Sequence, residues 1–371
     1  MSWNLEISPL KEWLPNTEKP ILMVGPCSAE SEKQVMETAK QIAKNFPHAI
    51  YRAGIWKPRT RPGSFEGIGE TGLEWLSKVK EETGLLTSTE IATPEHLEKC
   101  LKNNIDIVWI GARTVANPFS VQILADALKG TNIPVFIKNP INLDLELWLG
   151  AIERINRAGI KKIVAIHRGF HSLKQSEYRN QPHWEIPIHL KTKATNIPMI
   201  CDISHISGTP DLLHQTAQKA MDLNMDGLMI ETHINPKVAL SDAEQQISPK
   251  QLVSLVSKII VRTENSEDIF FKNRLEELRN QIDNLDSELL NLLSRRMTIS
   301  KKIGAYKEEN NVTILQIRRW KKILKTQKEN GFLAGLSQEF IQTIFDNIHD
   351  ESIRVQNEVM NKSGIINTNS K

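Results

Sequence analysis

The chain has 371 residues, a formal net charge of +3 and a hydrophobic fraction of 40%. That length predicts two domains, or one large barrel with an appendage, because a domain averages roughly 150 residues. The charge is too small to indicate a nucleic-acid partner, and no apolar run approaches the ~18 residues of a membrane span. The three cysteines lack the spacing of a disulfide framework or a zinc ribbon, and no secretory signal opens the sequence. We therefore expect a cytoplasmic protein that contacts neither nucleic acid nor membrane.

Between Ile21 and Arg262, short apolar runs rich in β-branched residues alternate with amphipathic segments. The eight runs lie at 21–24, 49–52, 85–88, 107–110, 134–137, 162–166, 198–201 and 227–230. Eight such βα units fit a (β/α)8 TIM barrel, which typically needs ~250 residues. A doubly wound sheet is the alternative, but it does not require polar residues after every strand, and this sequence has them. We predict an α/β chain with the barrel first.

Four potential metal ligands follow strands that a closed barrel makes neighbours. Cys27 follows the first run, His205 the seventh, and Glu231 and Asp242 the eighth. A lone cysteine at a strand end is more often a small buried side chain than a ligand. Taken together, however, a thiolate, an imidazole and two carboxylates suit a borderline divalent metal such as manganese, iron, cobalt or zinc.

A second group consists of basic residues at or just beyond the strand ends. Its members are Arg52, Lys57, Arg59, Arg113, Lys138 and Arg168. Clustered like charges are unfavourable without anions to balance them. The group therefore predicts substrates that carry several phosphate or carboxylate groups, which arginine binds in a bidentate manner. We interpret Lys57-Pro58-Arg59-Thr60 as a phosphate clamp, and the sequence contains no P-loop motif.

The motifs at these strand ends occur in an order that resembles a known enzyme family. They are Gly25-Pro26-Cys27-Ser28, Lys57-Pro58-Arg59-Thr60, Ile110-Gly111-Ala112-Arg113, Lys138-Asn139-Pro140, His167-Arg168-Gly169-Phe170, Asp202-Ile203-Ser204-His205 and Ile230-Glu231-Thr232-His233. Together they resemble the short, type I-beta form of 3-deoxy-D-arabino-heptulosonate 7-phosphate (DAHP) synthase, across roughly Lys19 to Arg262. The resemblance implies condensation of phosphoenolpyruvate with erythrose 4-phosphate, the entry step to aromatic biosynthesis.

The resemblance also implies a role for each residue. The metal, for which manganese is favoured over iron, cobalt and zinc, is bound by Cys27, His205, Glu231 and Asp242. Phosphoenolpyruvate is held by Arg52, Lys57, Arg113, Lys138 and Arg168, and the aldose phosphate by Arg59 and Thr60. Lys57 either delivers a proton to the new alkoxide or acts only through its charge. An octulosonate phosphate synthase, which uses a different aldose, is the alternative for the barrel.

After Arg262 the sequence pattern changes. A polar stretch predicts a linker, and a helical pattern then runs from about Phe271 to Lys307 with one apolar stripe that we expect to be buried. Two further helices are expected at about Leu315–Asn330 and Ser337–Val359. We therefore predict a barrel domain over 1–262, a linker over 263–271, an all-α domain over 272–360 and a frayed tail over 361–371.

Basic residues interrupt the apolar stripe of the long helix. Arg296 is placed on the packed face, and a buried cation requires an anion. The residues of this region resemble the all-helical chorismate mutases in the segments 278–286, 292–296 and 303–307 and at Arg319, Ser352 and Gln356. The resemblance implies rearrangement of chorismate to prephenate within an intertwined homodimer.

The implied roles in the helical domain are as follows. Arg279 would reach the site of the other subunit, and with Arg296 it would bind the two carboxylates of chorismate. Lys307 and Gln356 would hydrogen-bond the ether oxygen as the catalytic residues. The full set of substrate-binding residues is Arg279, Arg296, Lys307, Arg319, Ser352 and Gln356.

Two positions depart from the mutase pattern. The family usually has carboxylates where this chain has Gln316 and Trp320, near the substrate hydroxyl. A weak mutase, or a helical domain that serves mainly as a noncatalytic sensor and dimerisation module, is therefore the alternative. Because both activities belong to one pathway, we expect prephenate to bind the helical domain and inhibit the barrel.

Overall fold

The computed structural model describes residues 5–57, 63, 65–172, 176–263 and 265–366. The chain divides into two compact units, Met1–Glu264 and Asn265–Lys371. Within the described residues, no helix combines the length and the apolar composition needed to cross a membrane.

Eight parallel strands form a closed barrel in the first unit, each paired with the next and β8 paired with β1. The strands are β1 (Ile21–Gly25), β2 (Ile50–Arg52), β3 (Leu86–Ile91), β4 (Ile107–Ile110), β5 (Val135–Lys138), β6 (Ile163–His167), β7 (Met199–Asp202) and β8 (Gly227–Glu231). Each of the eight predicted runs overlaps one of these strands. The predicted TIM barrel is confirmed.

Among the described residues, ten α-helices accompany the strands. They are α1 (Glu32–Asn45), α2 (Thr71–Thr83), α3 (Pro94–Lys102), α4 (Ala112–Val115), α5 (Pro118–Leu128), α6 (Leu145–Arg157), α7 (Glu185–Lys193), α8 (Ile203–Ser207), α9 (Leu213–Asp222) and α10 (Pro249–Val256). The sequence specifies several of their starts. In α3, for example, the Thr93 side chain accepts the His96 N–H and Pro94 occupies the first helical turn, where its missing N–H costs nothing.

Alternation along the strands produces two apolar layers. In β1, Ile21 and Met23 belong to the interior of the barrel, whereas Leu22 and Val24 pack under the surrounding helices. Trp13, from the N-terminal segment, packs edge-on against Phe136 of the interior with ring centroids 6.3 Å apart. The interior is therefore a packed core, and its polar residues are left to the carboxyl ends of the strands.

The second unit contains three helices, α11 (Ile269–Glu309), α12 (Ile317–Leu333) and α13 (Gln338–Ile366). All three predicted helices are present, which confirms the all-α character of this unit. The first begins inside the expected linker, and the last continues through residues that we expected to belong to the tail. Residues 367–371 lie outside the described part of the chain.

The expected burial of the α11 stripe is wrong for the single chain. Leu285, Leu289 and Leu292 are 54–61% exposed. Burial in α11 is confined to Ser300 and Gly304, where α13 packs against it. The two other helices described in this unit are too few to cover the 41-residue α11, so most of the stripe faces outward.

Gly25 provides a test of how the end of β1 is built. Its φ of +148° is a conformation that residues with a Cβ rarely adopt, and an added Cβ would lie 2.1 Å from the Arg52 carbonyl oxygen. We expect Gly25→Ala to lower the free energy of unfolding by about 2 kcal/mol, as overpacking does. The matched control is Gly150→Ala in α6, where a Cβ meets open space; it should raise stability by about 0.5–1 kcal/mol. Urea unfolding followed by tryptophan fluorescence measures both, and equal effects would contradict the steric explanation.

Candidate functional site

The carboxyl ends of the strands surround a cavity of about 530 Å³. Its ionisable lining residues are Lys57, Glu90, Arg113, Lys138, Arg168, His171, Arg179, His205 and Asp242. Five of them are lysine or arginine, and only two are carboxylates. This end of a TIM barrel is where active sites lie, and the excess of cations suits an anionic ligand.

Three potential metal ligands converge at one side of the cavity. The ligand atoms of Cys27, Glu231 and Asp242 all lie within 4.8 Å of one another. Cys27 follows β1, Glu231 ends β8, and the register that pairs Gly25 with Glu231 closes the barrel between them. Asp242 comes from the loop after β8 and has a left-handed backbone with φ of 49°.

His205 lies at the edge of this group. Its Nδ1 is 2.9 Å from Asp202 Oδ2, and its Nε2 is 3.8 Å from Glu231 Oε1. A carboxylate on one ring nitrogen commonly orients the other nitrogen toward a metal. Three predicted ligands are thus clustered and the fourth is oriented toward them; this thiol, imidazole and carboxylate set fits a borderline divalent metal.

Each of the three clustered ligands contacts a basic side chain. The pairs are Lys57 Nζ with Cys27 Sγ at 2.9 Å, Arg52 Nη1 with Glu231 Oε1 at 3.0 Å, and Arg179 Nη1 with Asp242 Oδ1 at 3.0 Å. The cluster is almost completely buried, and buried charges need such partners. Charge at the site is therefore balanced by residues that reach it from three different loops or strands.

Burial and these partners change the pKa values in opposite directions. Burial, reinforced by Glu231, raises the pKa of the Cys27 thiol to about 12. Burial would also raise the pKa of Asp242, but His205 and Arg179 outweigh it and lower that pKa. The pKa of Glu231 is lowered in the same way by His205 and Arg52. Both carboxylates are therefore ionised at neutral pH.

The remaining predicted phosphoenolpyruvate residues divide into two groups. Arg113, Lys138 and Arg168 line the cavity together with Lys57. Lys138 Nζ donates to Asp202 Oδ2 at 2.8 Å. Arg52 is 1% exposed and lies beneath the cavity, where it donates to Glu231 and to the Pro26 carbonyl oxygen. Its guanidinium also lies over the Trp109 ring at 5.0 Å. Arg59 and Thr60 fall outside the described residues.

In the second unit, three of the predicted mutase residues come together where α11 packs on α13, and a fourth, Lys307, lies on α11. Arg296 donates to the Ser352 hydroxyl, and Gln356 Nε2 donates to the Ser352 carbonyl oxygen at 3.0 Å. Gln356 Oε1 is buried with no hydrogen-bond partner among the described residues. Lys307 Nζ donates to the Ile314 carbonyl oxygen at 2.6 Å. Gly304 permits this approach, because a Cβ there would lie 3.1 Å from Gln356 Cα.

The other two predicted mutase residues are not buried with this cluster. Arg279 precedes Arg296 by 17 residues (296 − 279) on the same helix, which is roughly 26 Å at 1.5 Å per residue. Arg279 and Arg319 are both exposed. Trp320, which departs from the mutase pattern, stacks on His349 with ring centroids 3.9 Å apart and the planes 7° from parallel.

Residues 12–267 match the model of the DAHP synthetase I family. The chain belongs to that family. Residues 278–357 match the model of chorismate mutase type II. Members of a transferase family and an isomerase family are therefore fused in one chain, as the resemblances implied.

Individual relatives agree with the family assignment for the first unit. A phospho-2-dehydro-3-deoxyheptonate aldolase from Thermotoga maritima is 31% identical over 238 residues, which cover 64% of this chain and 68% of the relative. The crystal structure of a DAHP synthase from the same organism matches with a TM-score of 0.58 and 29% identity, over 64% of this chain and 67% of that one. A 2-dehydro-3-deoxyphosphooctonate aldolase from Francisella tularensis is 25% identical over 64% of this chain and 90% of that relative.

Sequence reasoning missed three polar residues of this DAHP synthetase site. Arg179 donates to Asp242 and Gln245, Asn180 bonds Arg168, and Gln245 Nε2 donates to Glu231 Oε2 at 2.6 Å. All three lie in long loops, whereas strand-end polarity identifies only residues next to the strands. The signal that could have found the first two is the adjacent cation and amide in Tyr178-Arg179-Asn180.

His167, at the end of β6, predicts a pH dependence of stability. Burial lowers its pKa to about 3, and the charge of Arg168 contributes. The unfolded imidazole binds a proton below its ordinary pKa of about 6.5 while the folded one does not, so the free energy of unfolding falls as the pH drops through that window. We expect His167→Gln to remove about 2 kcal/mol of the difference in unfolding free energy between pH 6.5 and pH 4.5.

Urea unfolding at the two pH values, followed by tryptophan fluorescence, measures this difference. Trp320 is the only tryptophan of the sequence beyond Glu264, so the signal reports mainly on the barrel. His189→Gln is the control, because His189 is exposed. An unchanged pH dependence in His167→Gln would show that another group is responsible.

Proposed function

We propose that the barrel condenses phosphoenolpyruvate with erythrose 4-phosphate to give DAHP and phosphate, with the help of one divalent metal. The observation that carries this proposal is the clustered Cys27, Glu231 and Asp242 group at the side of a cavity lined by five basic residues. Two phosphorylated substrates require such an excess of cations. A divalent metal held by the clustered ligands would add a Lewis acid beside these cations.

The residues take the following roles. Cys27, His205, Glu231 and Asp242 hold the metal, for which manganese is favoured over iron, cobalt and zinc. When bound there, the metal supplies Lewis acidity toward the aldehyde carbonyl. Lys57, Arg113, Lys138 and Arg168 bind phosphoenolpyruvate, and Arg59 and Thr60 bind the aldose phosphate.

Arg52 is assigned differently from the other basic residues. Its Nη1 is already shared between Glu231 and the Pro26 carbonyl oxygen, and the side chain is 2% exposed. A guanidinium held in this way fixes Glu231 and adds positive potential under the cavity. We propose that Arg52 affects phosphoenolpyruvate binding through this potential and through its orientation of Glu231.

The reaction forms one carbon–carbon bond and one carbon–oxygen bond to water, and it cleaves the carbon–oxygen bond to phosphate. The methylene carbon of phosphoenolpyruvate attacks the aldehyde carbon, water adds to the former enol carbon, and phosphate leaves with its bridging oxygen. The new alkoxide needs a proton. Lys57 lies at the cavity wall with its Nζ 2.9 Å from both Cys27 Sγ and the Cys27 carbonyl oxygen, so it either supplies that proton or stabilises the alkoxide by its charge.

Cys27→Ala tests the ligand assignment. We expect it to weaken metal binding at least 100-fold and to abolish phosphoenolpyruvate consumption, because the thiolate is removed from a three-ligand cluster. Cys100→Ala removes an equally buried thiol from α3, far from the strand ends, and should retain metal affinity. Metal titration of the chelator-treated protein, paired with the consumption assay, measures both. Chelator-sensitive activity that persists in Cys27→Ala would contradict the assignment.

The same assay separates DAHP synthase from an octulosonate phosphate synthase. The relative from Francisella tularensis bears the latter name and is covered over 90% of its length. Erythrose 4-phosphate and a five-carbon aldose phosphate are compared side by side as acceptors. Preference for the five-carbon acceptor would replace the proposed substrate.

For the helical unit we propose rearrangement of chorismate to prephenate. The supporting observation is the contact of Arg296 and Gln356 with Ser352, with Gln356 Oε1 left without a partner among the described residues. Lys307 lies on the same helix as Arg296. The rearrangement needs no nucleophile or general base, only restriction of the substrate and stabilisation of charge on its ether oxygen. These residue types supply both.

The arrangement of α11 supports a homodimer through the helical unit. Its outward-facing leucines form an apolar surface of the kind that a second copy covers, as soluble monomers rarely expose contiguous apolar patches of this kind. Arg279 is roughly 26 Å along the helix from Arg296, too far to share its substrate within one chain. A partner subunit that presents its Arg279 would complete the site.

Two roles of the helical unit remain distinct. As an enzyme it turns over chorismate; as a sensor it binds prephenate and reduces the activity of the barrel. Gln316 and Trp320 stand where the mutase family usually has carboxylates, which favours low catalytic efficiency. We propose that both roles operate, with prephenate as the feedback effector.

Arg296→Gln tests these roles together. We expect it to lose chorismate turnover and prephenate inhibition of phosphoenolpyruvate consumption, because one carboxylate loses its partner. Arg295→Gln changes the exposed neighbour and should retain both. Isothermal titration of prephenate with and without phosphoenolpyruvate then measures the coupling, which must be equal in the two directions. Equal prephenate affinities in the two titrations would rule out equilibrium coupling between these sites.

A further inference from the structure

Glu30 and His233 form a buried contact beside the candidate metal group. Glu30 follows β1 on the loop that carries Cys27, and His233 follows β8 two residues after Glu231. Their side chains are 9% and 2% exposed, and Glu30 Oε2 lies 3.5 Å from His233 Nε2. None of the roles assigned above uses either residue.

The contact extends to a third segment. Glu30 Oε1 accepts the Leu240 N–H at 2.8 Å. Leu240 precedes Asp242 by two residues, on the loop after β8. One carboxylate therefore joins the segment of Cys27 to the segments of both Glu231 and Asp242.

The hydrogen bonds of His233 fix which way its ring faces. Its Nδ1 accepts the Asn235 N–H at 2.9 Å. The proton of the neutral ring is then on Nε2, which faces Glu30. Nε2 makes no hydrogen bond among the described residues, and Glu30 Oε2 lies 3.5 Å from it.

The position of Asp242 explains why such a connection is needed. Its backbone is left-handed with φ of 49°, a conformation that is strained for a residue with a Cβ. The neighbouring Ser241 is held by the Ser28 hydroxyl and by Gln246 Nε2. These neutral contacts join the same loops, and Glu30 adds a charged acceptor that also reaches His233.

We propose that Glu30 and His233 act as a brace that holds Cys27, Glu231 and Asp242 at metal-binding distance. They are positioning residues, because neither belongs to the ligand group itself. The inference rests on the metal dependence proposed above. Loss of such supporting contacts typically costs 10–100-fold in metal affinity, and we expect Glu30→Ala to fall in that range.

The test uses the full-length protein after removal of metal. Variants Glu30→Ala, Glu30→Gln and His233→Phe are compared with Glu37→Ala, an exposed glutamate on α1. Titration with Mn²⁺ gives the dissociation constant. Titration with Co²⁺ gives the thiolate-to-metal absorption band, which reports whether Cys27 reaches the metal.

The variants should fall in a definite order. Glu30→Ala should bind Mn²⁺ 10–100-fold more weakly and lose most of the Co²⁺ thiolate band. Glu30→Gln keeps Oε1 for the Leu240 N–H but sets an amide donor against His233 Nε2, so it should restore part of the affinity. His233→Phe should resemble Glu30→Gln, and Glu37→Ala should match the wild type.

The outcomes distinguish a failure of the brace from a failure of the proposed metal site. If the wild type binds neither metal, the proposed metal site fails. If the wild type binds both, while Glu30→Ala binds within threefold of it with an unchanged thiolate band, the metal site stands and the brace is wrong. Urea unfolding identifies variants that do not fold. Should Glu30→Ala be one of them, wild-type affinity in both Glu30→Gln and His233→Phe overturns the brace.

Discussion

Closure of the barrel between β1 and β8 is the constraint on which the barrel site depends. The register that pairs Gly25 with Glu231 brings Cys27, near the start of the domain, beside a carboxylate some two hundred positions later. A parallel barrel aligns the carboxyl ends of all its strands. One residue of slip would turn the Glu231 side chain from the interior toward the helices. The candidate metal group therefore depends on the closed fold.

Closure also concentrates charge where solvent is scarce. Arg52, Lys57 and Arg179 each contact one of the clustered ligands, and Trp109 provides an aromatic face for Arg52. Burying ions in this way costs several kcal/mol per ion unless every charge is paired. The cavity above keeps further cations that lie at its wall. An anionic substrate would thus neutralise the excess positive charge of the cavity wall.

The sequence was sufficient for the fold and for most of the cations, because strand period and strand-end polarity are local signals. It identified Lys138 and Arg168 as cavity residues on that basis, and the structure places both there. It could not distinguish Arg52 from the residues that line the cavity. The Arg52 side chain lies beneath the cavity because it donates to the Pro26 carbonyl oxygen and to Glu231. Arg179 reaches Asp242 through a long loop, and no local period specifies such a path.

The same distinction between local and long-range information explains the helical unit. Periodicity predicted all three helices and the apolar stripe of α11. It did not predict which surface covers that stripe. In one chain, α13 packs at Ser300 and Gly304, and Leu285 and Leu289 face outward. The barrel site draws every described ligand from one chain, whereas the helical site would need Arg279 from a second. The proposed mutase activity is therefore tied to subunit concentration through mass action, whereas the candidate metal ligands of the barrel come together within one chain.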